Sequence, residues 1–401
     1  MVASDHSLAA SLAATSILFH GENDFPRKRK NAAGKMNYPF RDQYHRLRKP
    51  LLRLCDSLLP ARHRSDLLQP LLERTSGPFC FETAAPMPEQ ARAWAEERKG
   101  ATEREGLYKA LAPCSVDPKI GVLFHQGRVI WKTSDLPERE RSPLFFAHRK
   151  SPSRQLPEAI VLHHVFGDNY FHFFMFIMNK VWLVEQFGLP RSIPFLVNAA
   201  SANTPFFRQA QDLGAFFGRE VIVQGRREIV KVDQAYLALP FFCNADTMAW
   251  IAGVFRDETS QQPDRPVFTI RSSTAPNGRL FRNQDEVSRL AEKAGFEVLD
   301  PATLTLKEQA NRFAKAPIIA GAHGAALTNM IFRAGKPTGI IELFSPSMGS
   351  PHYAMMAREF GFYYRSTLTK NPEGRTFTAS TEVDLVELER MFDYMLAKVQ
   401  T

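Results

Sequence analysis

Residues 316–330 read Ala-Pro-Ile-Ile-Ala-Gly-Ala-His-Gly-Ala-Ala-Leu-Thr-Asn-Met, and this is the most informative stretch of the sequence. It predicts a buried strand, a tight turn of small residues and then a helix. Gly321 and Gly324 flank His323, so the backbone can turn sharply there and be approached closely. A helix that begins near Gly324 directs free N–H groups and the positive end of its dipole over the turn, which suits phosphate. Small residues also occur in such turns without a ligand, so the turn alone leaves both interpretations open.

Strands and helices alternate regularly on both sides of this stretch. The predicted strands are residues 267–271, 296–299, 318–320 and 339–343. Three helices separate them, and Thr305 with Glu308 forms a capping box at the start of the second. The alternation predicts right-handed crossovers and a parallel sheet. The polar, proline-containing segment 261–266 predicts a domain boundary ahead of it.

Polar groups follow three of the four predicted strands. They are Arg271, Arg279, Arg282, His323, Gly324 and Glu342. In a parallel α/β sheet, ligands bind beyond the carboxyl ends of the strands. Arginine stays charged and can bind pyrophosphate bidentately, and a carboxylate at a strand end can accept hydrogen bonds from ribose hydroxyls. Together these groups favour a nucleotide site over a solvated loop.

A second informative stretch lies in the first half of the chain. Residues 159–166 predict a strand, and residues 170–187 predict a long apolar helix that ends at Gly188. Asp168 or Asn169 can cap its start. His172 falls in the first turn, where the helix dipole favours the neutral imidazole, and a neutral imidazole can accept a proton as a general base. A partly buried histidine bonded to backbone is the alternative.

Composition places the chain among globular proteins and narrows its partners. The 401 residues are 44% hydrophobic and 23% charged, with a net charge of +9. Four dispersed cysteines support neither a zinc site nor a disulfide framework, and a reducing cytosol is the expectation. Phosphorylated small molecules, an anionic membrane surface or nucleic acid would each suit the charge. We rank nucleic acid last, because no nucleic-acid-binding motif is present.

These patterns divide the chain into five segments. Residues 1–35 are predicted to be a disordered basic tail, with Met36 as an alternative start. Residues 36–115 predict a mainly helical extension, 116–262 and 263–370 predict two α/β lobes, and 380–401 an amphipathic helix that packs back on the first lobe. No apolar run reaches the ~20 residues needed to span a bilayer, and no signal peptide is predicted.

Two blocks of this sequence are similar to glycosyltransferase family 61. The first is Asp168-Asn169-Tyr170-Phe171-His172 with the helix that follows it. The second runs from Phe268-Thr269-Ile270-Arg271, through Arg279 and Arg282, to residues 321–332 and 341–343. Together they cover about residues 117–345.

The resemblance implies an inverting, two-lobed α/β enzyme of the GT-B type, with two Rossmann-like lobes. Such enzymes hold a nucleotide-sugar donor on the C-terminal lobe and a saccharide or lipid-linked saccharide acceptor on the N-terminal lobe. The bacterial members act in capsule, lipopolysaccharide or exopolysaccharide assembly, and this chain resembles that kind. We therefore expect a cytoplasmic enzyme, with peripheral contact to the anionic inner face of the plasma membrane as a further expectation.

The resemblance also assigns roles to single residues. His172 and Asp168 are the candidates for the catalytic base, since many members carry an acidic residue after the helix histidine where this chain has the apolar run 174–177. Asn169 and Tyr170 are expected on the acceptor side. The donor-binding candidates are Arg271, Arg279, Arg282, His323, Gly324, Ala325, Asn329 and Glu342. The chain has no Asp-x-Asp, which fits a metal-independent enzyme without a cofactor.

Two other functions are open at this point. The first is a metal-dependent hydrolase that uses His163, His164, Asp168 and His172, whose side chains suit zinc or iron. Adjacent residues on a strand point to opposite faces, however, so His163 and His164 cannot easily share one metal. The second is a non-catalytic nucleotide or saccharide binder that has lost its base.

Overall fold

A computed structural model describes residue 54 and residues 67–81, 85–135, 151–257, 264–271, 280–370 and 380–399. The predicted basic tail and the donor-site candidate Arg279 lie outside these residues. The described strands are β1 (Leu68–Thr75), β2 (Arg104–Ala110), β3 (Cys114–Val116), β4 (Leu123–His125), β5 (Arg128–Ile130), β6 (Arg154–Val161), β7 (Phe195–Asn198), β8 (Val221–Gln224), β9 (Val230–Leu239), β10 (Val267–Thr269), β11 (Glu297–Leu299), β12 (Ile318–Ala322), β13 (Gly339–Phe344) and β14 (Tyr363–Leu368).

Helices connect these strands. The α-helices are α1 (Glu89–Glu97), α2 (Tyr170–His172), α3 (Asn179–Phe187), α4 (Ala199–Ala202), α5 (Pro205–Asp212), α6 (Ala245–Phe255), α7 (Gln284–Lys293), α8 (Leu306–Ala314), α9 (His352–Glu359) and α10 (Leu385–Val399). A π-helical segment, Phe173–Met178, joins α2 to α3. The 3-10 helices in the described part of the chain are Trp131–Thr133, Pro301–Thr303 and Ala325–Arg333.

The C-terminal sheet is parallel, as the alternation of strands and helices predicts. Its order is β11-β10-β12-β13-β14, and every neighbouring pair is parallel. β13 is buried along its whole length, so its run of apolar residues is that of an inner strand covered on both faces. The capping box of Thr305 and Glu308 begins α8. β14 extends the sheet beyond the four predicted strands.

The N-terminal sheet is mixed. Its order is β5-β4-β3-β9-β6-β7-β8, and β2, which pairs with β1, joins it through β9. β6, β7, β8 and one side of β9 pair in parallel. The ladders that involve β1 to β5 are antiparallel. Parallel and mixed sheets together fit an α/β glycosyltransferase, and the two-lobed GT-B arrangement stays a prediction.

Two of the predicted segments need correction. The extension over residues 36–115 is not mainly helical where it is described, because β1 and β2 form an antiparallel ladder there and α1 is the only α-helix within 67–115. Among the described residues, the apolar contacts of the C-terminal helix α10 are not with the first lobe. Phe392 of α10 contacts Phe296 with ring centroids 4.3 Å apart, and the helix covers the C-terminal sheet.

The two sheets share one apolar core, which places the start of α2 against the 3-10 helix that follows β12. Phe174 packs edge to face on Phe332, with centroids 5.7 Å apart. Tyr170 donates a hydrogen bond of 2.7 Å from its hydroxyl to Oδ1 of Asn329. The two stretches from which the function was inferred are therefore in direct contact.

Candidate active site

The turn after β12 is built by close approach of its backbone to neighbouring side chains. A Cβ added at Gly321 would collide with Oγ1 of Thr269, and one added at Gly324 would collide with Nη2 of Arg271. Nη2 of Arg271 donates to the carbonyl oxygen of His323 at 3.0 Å. Steric crowding by these side chains explains the glycine at both positions, and Arg271 is held against the turn.

The guanidinium of Arg271 is largely buried and still carries its positive charge. Burial lowers the pKa of its guanidinium, whereas Tyr353 and Asp300 raise it, and an arginine remains protonated at any physiological pH. A pocket at the carboxyl ends of β10 and β12 is lined by Thr269, Ile270, Arg271, Phe281, Gln284, Ala322 and Ala326. Ala325 begins the 3-10 helix beside this pocket, and Arg282 is exposed on the turn before α7.

His323 and Glu342 are bonded to each other rather than facing outward separately. Nδ1 of His323 hydrogen-bonds to Oε1 of Glu342, and Tyr364 donates from its hydroxyl to Oε2 at 2.5 Å. Glu342 is fully buried. Because Glu342 is fully buried, a ribose hydroxyl would reach it only after a rearrangement, so the ribose contact stays a prediction, while the observed contact orients His323.

Asn329 bridges structural elements. Its Nδ2 donates to Oε1 of Gln309 and to the carbonyl oxygen of Ala326, both at 3.1 Å, and its Oδ1 accepts from Tyr170. The side chain is fully buried. These contacts orient the turn, and the donor contact of Asn329 stays a prediction. Tyr170, expected on the acceptor side, reaches the donor-side turn with its hydroxyl.

The start of α2 is capped by Asn169, whose side chain accepts from the N–H of Phe171 at 2.9 Å. Asp168, the other cap candidate, is exposed in the preceding turn. His172 ends α2, and the π-helical segment begins with the next residue. π-helical turns occur frequently at functional sites. The predicted long helix therefore forms, with one wider turn inserted directly after His172.

A chain of polar contacts runs from His172 into the protein. Nδ1 of His172 lies 2.9 Å from Nε2 of His164, and Nδ1 of His164 lies 2.9 Å from Oδ2 of Asp135. Nζ of Lys180 lies 2.7 Å from the same oxygen and donates to the carbonyl oxygen of His163 at 2.5 Å. Burial alone would raise the pKa of Asp135, but Lys180 and His164 hold it well below its usual range.

Aromatic rings connect His172 to the turn of the other sheet. Phe171 stacks on His352 with centroids 5.3 Å apart and packs edge to face on Tyr353 at 5.6 Å. Tyr353 in turn packs on His323 at 5.2 Å. Hence three histidines, from α2, α9 and the turn after β12, lie around one junction between the sheets.

Two of these histidines are neutral at physiological pH. Burial, with His164 and His352, lowers the pKa of His172 to about 3, although Asp135 opposes the shift. Burial, with His323 and Arg98, lowers the pKa of His352 to about 3. Neutral imidazoles have a lone pair, so the junction carries proton acceptors beside the permanent charge of Arg271.

Sequence reasoning missed several residues of this junction. His352 and Tyr353 follow a polar loop, 345–351, at the carboxyl end of β13, and that position was the available signal. Asp135 and Lys180 gave no signal, because one follows a short 3-10 helix and the other lies inside an apolar helix. His164 was considered only as a metal ligand.

The hydrolase alternative is not favoured. Across the described ranges no group of three or more His, Cys, Asp or Glu side chains is arranged to hold a metal ion. His164 is bonded to His172 and Asp135, whereas His163 lies against Gly121 and carries a pKa lowered by burial to about 3. The two neighbouring histidines thus have different partners, and both lie beyond the end of β6 at Val161.

The fold and the junction together define an α/β protein with a basic, histidine-containing site at the carboxyl edge of a parallel sheet. Residues 170–341 match the family described as Glycosyltransferase 61. The match supports the predicted family and a glycosyltransferase role with sugar donor and acceptor substrates. It spans α2 to β13 and includes His172, Arg271 and His323. No curated protein shows significant sequence similarity to the chain.

None of the described helices is long and apolar enough to cross a membrane.

Proposed function

We propose that the protein is an inverting, metal-independent glycosyltransferase that moves a sugar from a nucleotide-sugar donor to a saccharide acceptor. One observation carries the proposal. The rings of Phe171, His352 and Tyr353 connect His172 to the turn at His323, and Arg271 donates a hydrogen bond to the carbonyl oxygen of that turn, so a neutral imidazole and a partly buried arginine belong to one chain of contacts. Such a pair is what a displacement at an anomeric carbon requires, with a base on one side and charge stabilisation on the other.

The reaction is a single displacement. The acceptor hydroxyl gives its proton to His172 as its oxygen bonds to the anomeric carbon. The bond from that carbon to the diphosphate breaks, the electron pair leaves with the diphosphate, and attack from the opposite face inverts the centre. Asp168, exposed on the turn before His172, is the second candidate for the base.

The leaving diphosphate is stabilised by Arg271 and by backbone N–H groups at Gly324 and Ala325. Arg271 is already fixed against the turn by its bond to the carbonyl of His323, so little reorganisation is needed when charge develops. Arg279 and Arg282 are proposed as further donor contacts, and Glu342 as a ribose contact through the pair it forms with His323.

The biological setting is also a proposal. The resemblance to bacterial enzymes supports capsule, lipopolysaccharide or exopolysaccharide assembly in the cytoplasm, with a saccharide or lipid-linked saccharide as acceptor. The positive net charge supports peripheral contact with an anionic membrane. Asn169 and Tyr170 remain the acceptor-side candidates.

The test is a thermal-shift panel of nucleoside diphosphates and nucleotide sugars. A ligand that binds only the native state at about 100 times its Kd stabilises it by roughly 2.7 kcal/mol, which raises the unfolding temperature by several degrees. We expect one nucleotide base to stand out, and Arg271→Ala to abolish its shift. The matched control is Arg289→Ala, which replaces an exposed arginine on helix α7 and should leave the shift unchanged.

The donor found in this way is then used in a transfer screen with saccharide acceptors. His172→Ala should remove turnover and keep the nucleotide shift, whereas His125→Ala should change neither. Wild-type turnover in His172→Ala would move the base to Asp168 or elsewhere. Binding of a nucleoside diphosphate with no transfer to any acceptor would favour the non-catalytic binder.

A further inference from the structure

The hydrogen bonds that link Lys180, Asp135, His164 and His172 each have a defined donor and acceptor. The ammonium group of Lys180 can only donate, and it lies 2.7 Å from Oδ2 of Asp135. The ionised carboxylate can only accept, so Nδ1 of His164, 2.9 Å from the same oxygen, must carry a proton. In the neutral imidazole of His164, Nε2 is then unprotonated and accepts a hydrogen bond from Nδ1 of His172.

This direction fixes the tautomer of His172. With its proton on Nδ1, the neutral ring carries its lone pair on Nε2, and that nitrogen is the one that can accept a proton from a substrate. For a neutral His164, the reverse direction would place its unprotonated Nδ1 against a carboxylate, which is repulsive. Lys180 excludes it by keeping Asp135 ionised.

The residues of this hydrogen-bonded series differ in their exposure to solvent. The side chain of His164 is fully buried and that of Asp135 is 6% exposed, whereas His172 is partly exposed. Only His172 can therefore meet a substrate. Phe176, on the π-helical segment, stacks on His164 at 4.0 Å and on His172 at 5.4 Å, which fixes the planes of both rings.

We infer that Asp135 and His164 are positioning residues that make Nε2 of His172 the proton acceptor of the transfer reaction. The inference rests on the proposed function, in which His172 is the base. When Nε2 takes the acceptor's proton, the imidazolium donates from Nδ1 to His164, whose own Nδ1–H donates to Asp135. The positive charge thus forms at one end of a chain that has a carboxylate at the other.

Both positioning residues lie outside the stretch that matches the family, residues 170–341. Asp135 comes after β5 and the short 3-10 helix, and His164 after β6. The preceding segment of the chain therefore completes a site whose substrate-facing residue lies within the matched stretch.

Nitrogen NMR on protein with 15N-labelled histidine tests the inference without any substrate. In the unliganded wild type at neutral pH, we expect His164 and His172 both to carry the proton on Nδ1. His125, whose Nδ1 lies 2.9 Å from the carbonyl of Pro113, is an internal reference for an Nδ1–H ring. A wild-type His172 with its proton on Nε2 would overturn the inference.

Variants then test whether the contact directs the tautomer. His164→Phe removes the acceptor, so the proton of His172 should move to Nε2, whereas His164→Gln supplies an amide oxygen and should restore Nδ1–H. In the transfer assay, His164→Phe should lower turnover by roughly 100-fold or more at unchanged nucleotide affinity. His164→Gln should recover part of the lost turnover. An unchanged His172 tautomer and full turnover in His164→Phe would contradict the assignment.

Asp135→Asn keeps the shape of the carboxylate and removes its charge. It should lower turnover and leave nucleotide binding intact, and Asp233→Asn, an exposed aspartate bonded to Gln155, is the matched control. If Asp135→Asn fails to fold because Lys180 loses its partner, Asp135→Asn with Lys180→Met removes both charges. If the tautomers are as expected but the protein transfers no sugar, only the proposed function is rejected. If both His164→Phe and Asp135→Asn keep normal turnover, only the positioning role of Asp135 and His164 is rejected.

Discussion

Replacing Gly324 with alanine should displace the guanidinium of Arg271 without removing it. The added Cβ would lie 1.9 Å from Nη2 and 3.1 Å from Cζ of Arg271. Ordinary contact begins at 3.4 Å, so the guanidinium must move by about 1.5 Å, the difference between the two distances. That movement breaks the bond from Nη2 to the carbonyl of His323. A hydrogen bond to a charged group contributes roughly 1.5–3 kcal/mol, so loss of one bond from the displaced guanidinium to the diphosphate should lower the affinity for a nucleoside diphosphate about 10- to 150-fold.

A double-mutant cycle with Arg271→Ala isolates this effect from any cost in the backbone at Gly324. Calorimetric titration gives the nucleotide affinity of the four proteins, and urea unfolding gives their stability. In the Arg271→Ala background, Gly324→Ala should change the affinity by no more than about twofold, since the displaced group is gone. Gly253→Ala, where no atom lies within 4 Å of the new Cβ, is the control. Equal losses of affinity with and without Arg271 would refute the reasoning.

Three further perturbations have expected outcomes. Tyr170→Phe leaves the buried Oδ1 of Asn329 without its donor and should cost about 1–3 kcal/mol in the free energy of unfolding, measured in urea; an unchanged midpoint would contradict the bridge. The pKa of His163 is about 3 in the folded chain against about 6.5 unfolded, so its contribution to stability is present above pH 6.5 and is lost as the pH falls toward 3. Unfolding at pH 7 and 5.5 should differ by about 1 kcal/mol for each histidine with such a shift, and equal stability would exclude it. Gly339→Ala would bring a Cβ to 2.4 Å from Cγ of Met395, so it should loosen α10 and lower the unfolding temperature, whereas an unchanged temperature would show that Met395 moves freely.

The parallel sheet and its turn were predictable because their signals are local and strong. The apolar runs of β12 and β13 belong to strands buried on both faces, and Gly321 and Gly324 mark the places of closest approach. The helix predicted after Gly324 is present as a 3-10 helix of nine residues. Within it, the side-chain amide of Asn329 donates to the carbonyl oxygen of Ala326, three residues back.

The parts that escaped prediction depend on distant partners. β1 contains Pro70 and exposes most of its side chains, so it lacks the alternation that identifies a strand. It exists because it pairs with β2 some thirty residues later. Asp135 and His352 have the same character, since each gains its role from side chains far along the chain. The apolar face of α10 was visible in the sequence, but nothing in the pattern indicates which sheet it covers.

The pairing of β9 has a consequence for how this protein can be divided. β9 has β2 and β3 on one side and β6 on the other, and all three strands precede residue 170. A fragment limited to 170–341 would keep β9 and lose every strand that bonds to it. It would also lose β14 and α10, which follow residue 341. The unit that natural selection can recombine or duplicate is therefore larger than the unit that sequence comparison delimits, and a fragment cut at those limits would present bare strand edges to other chains.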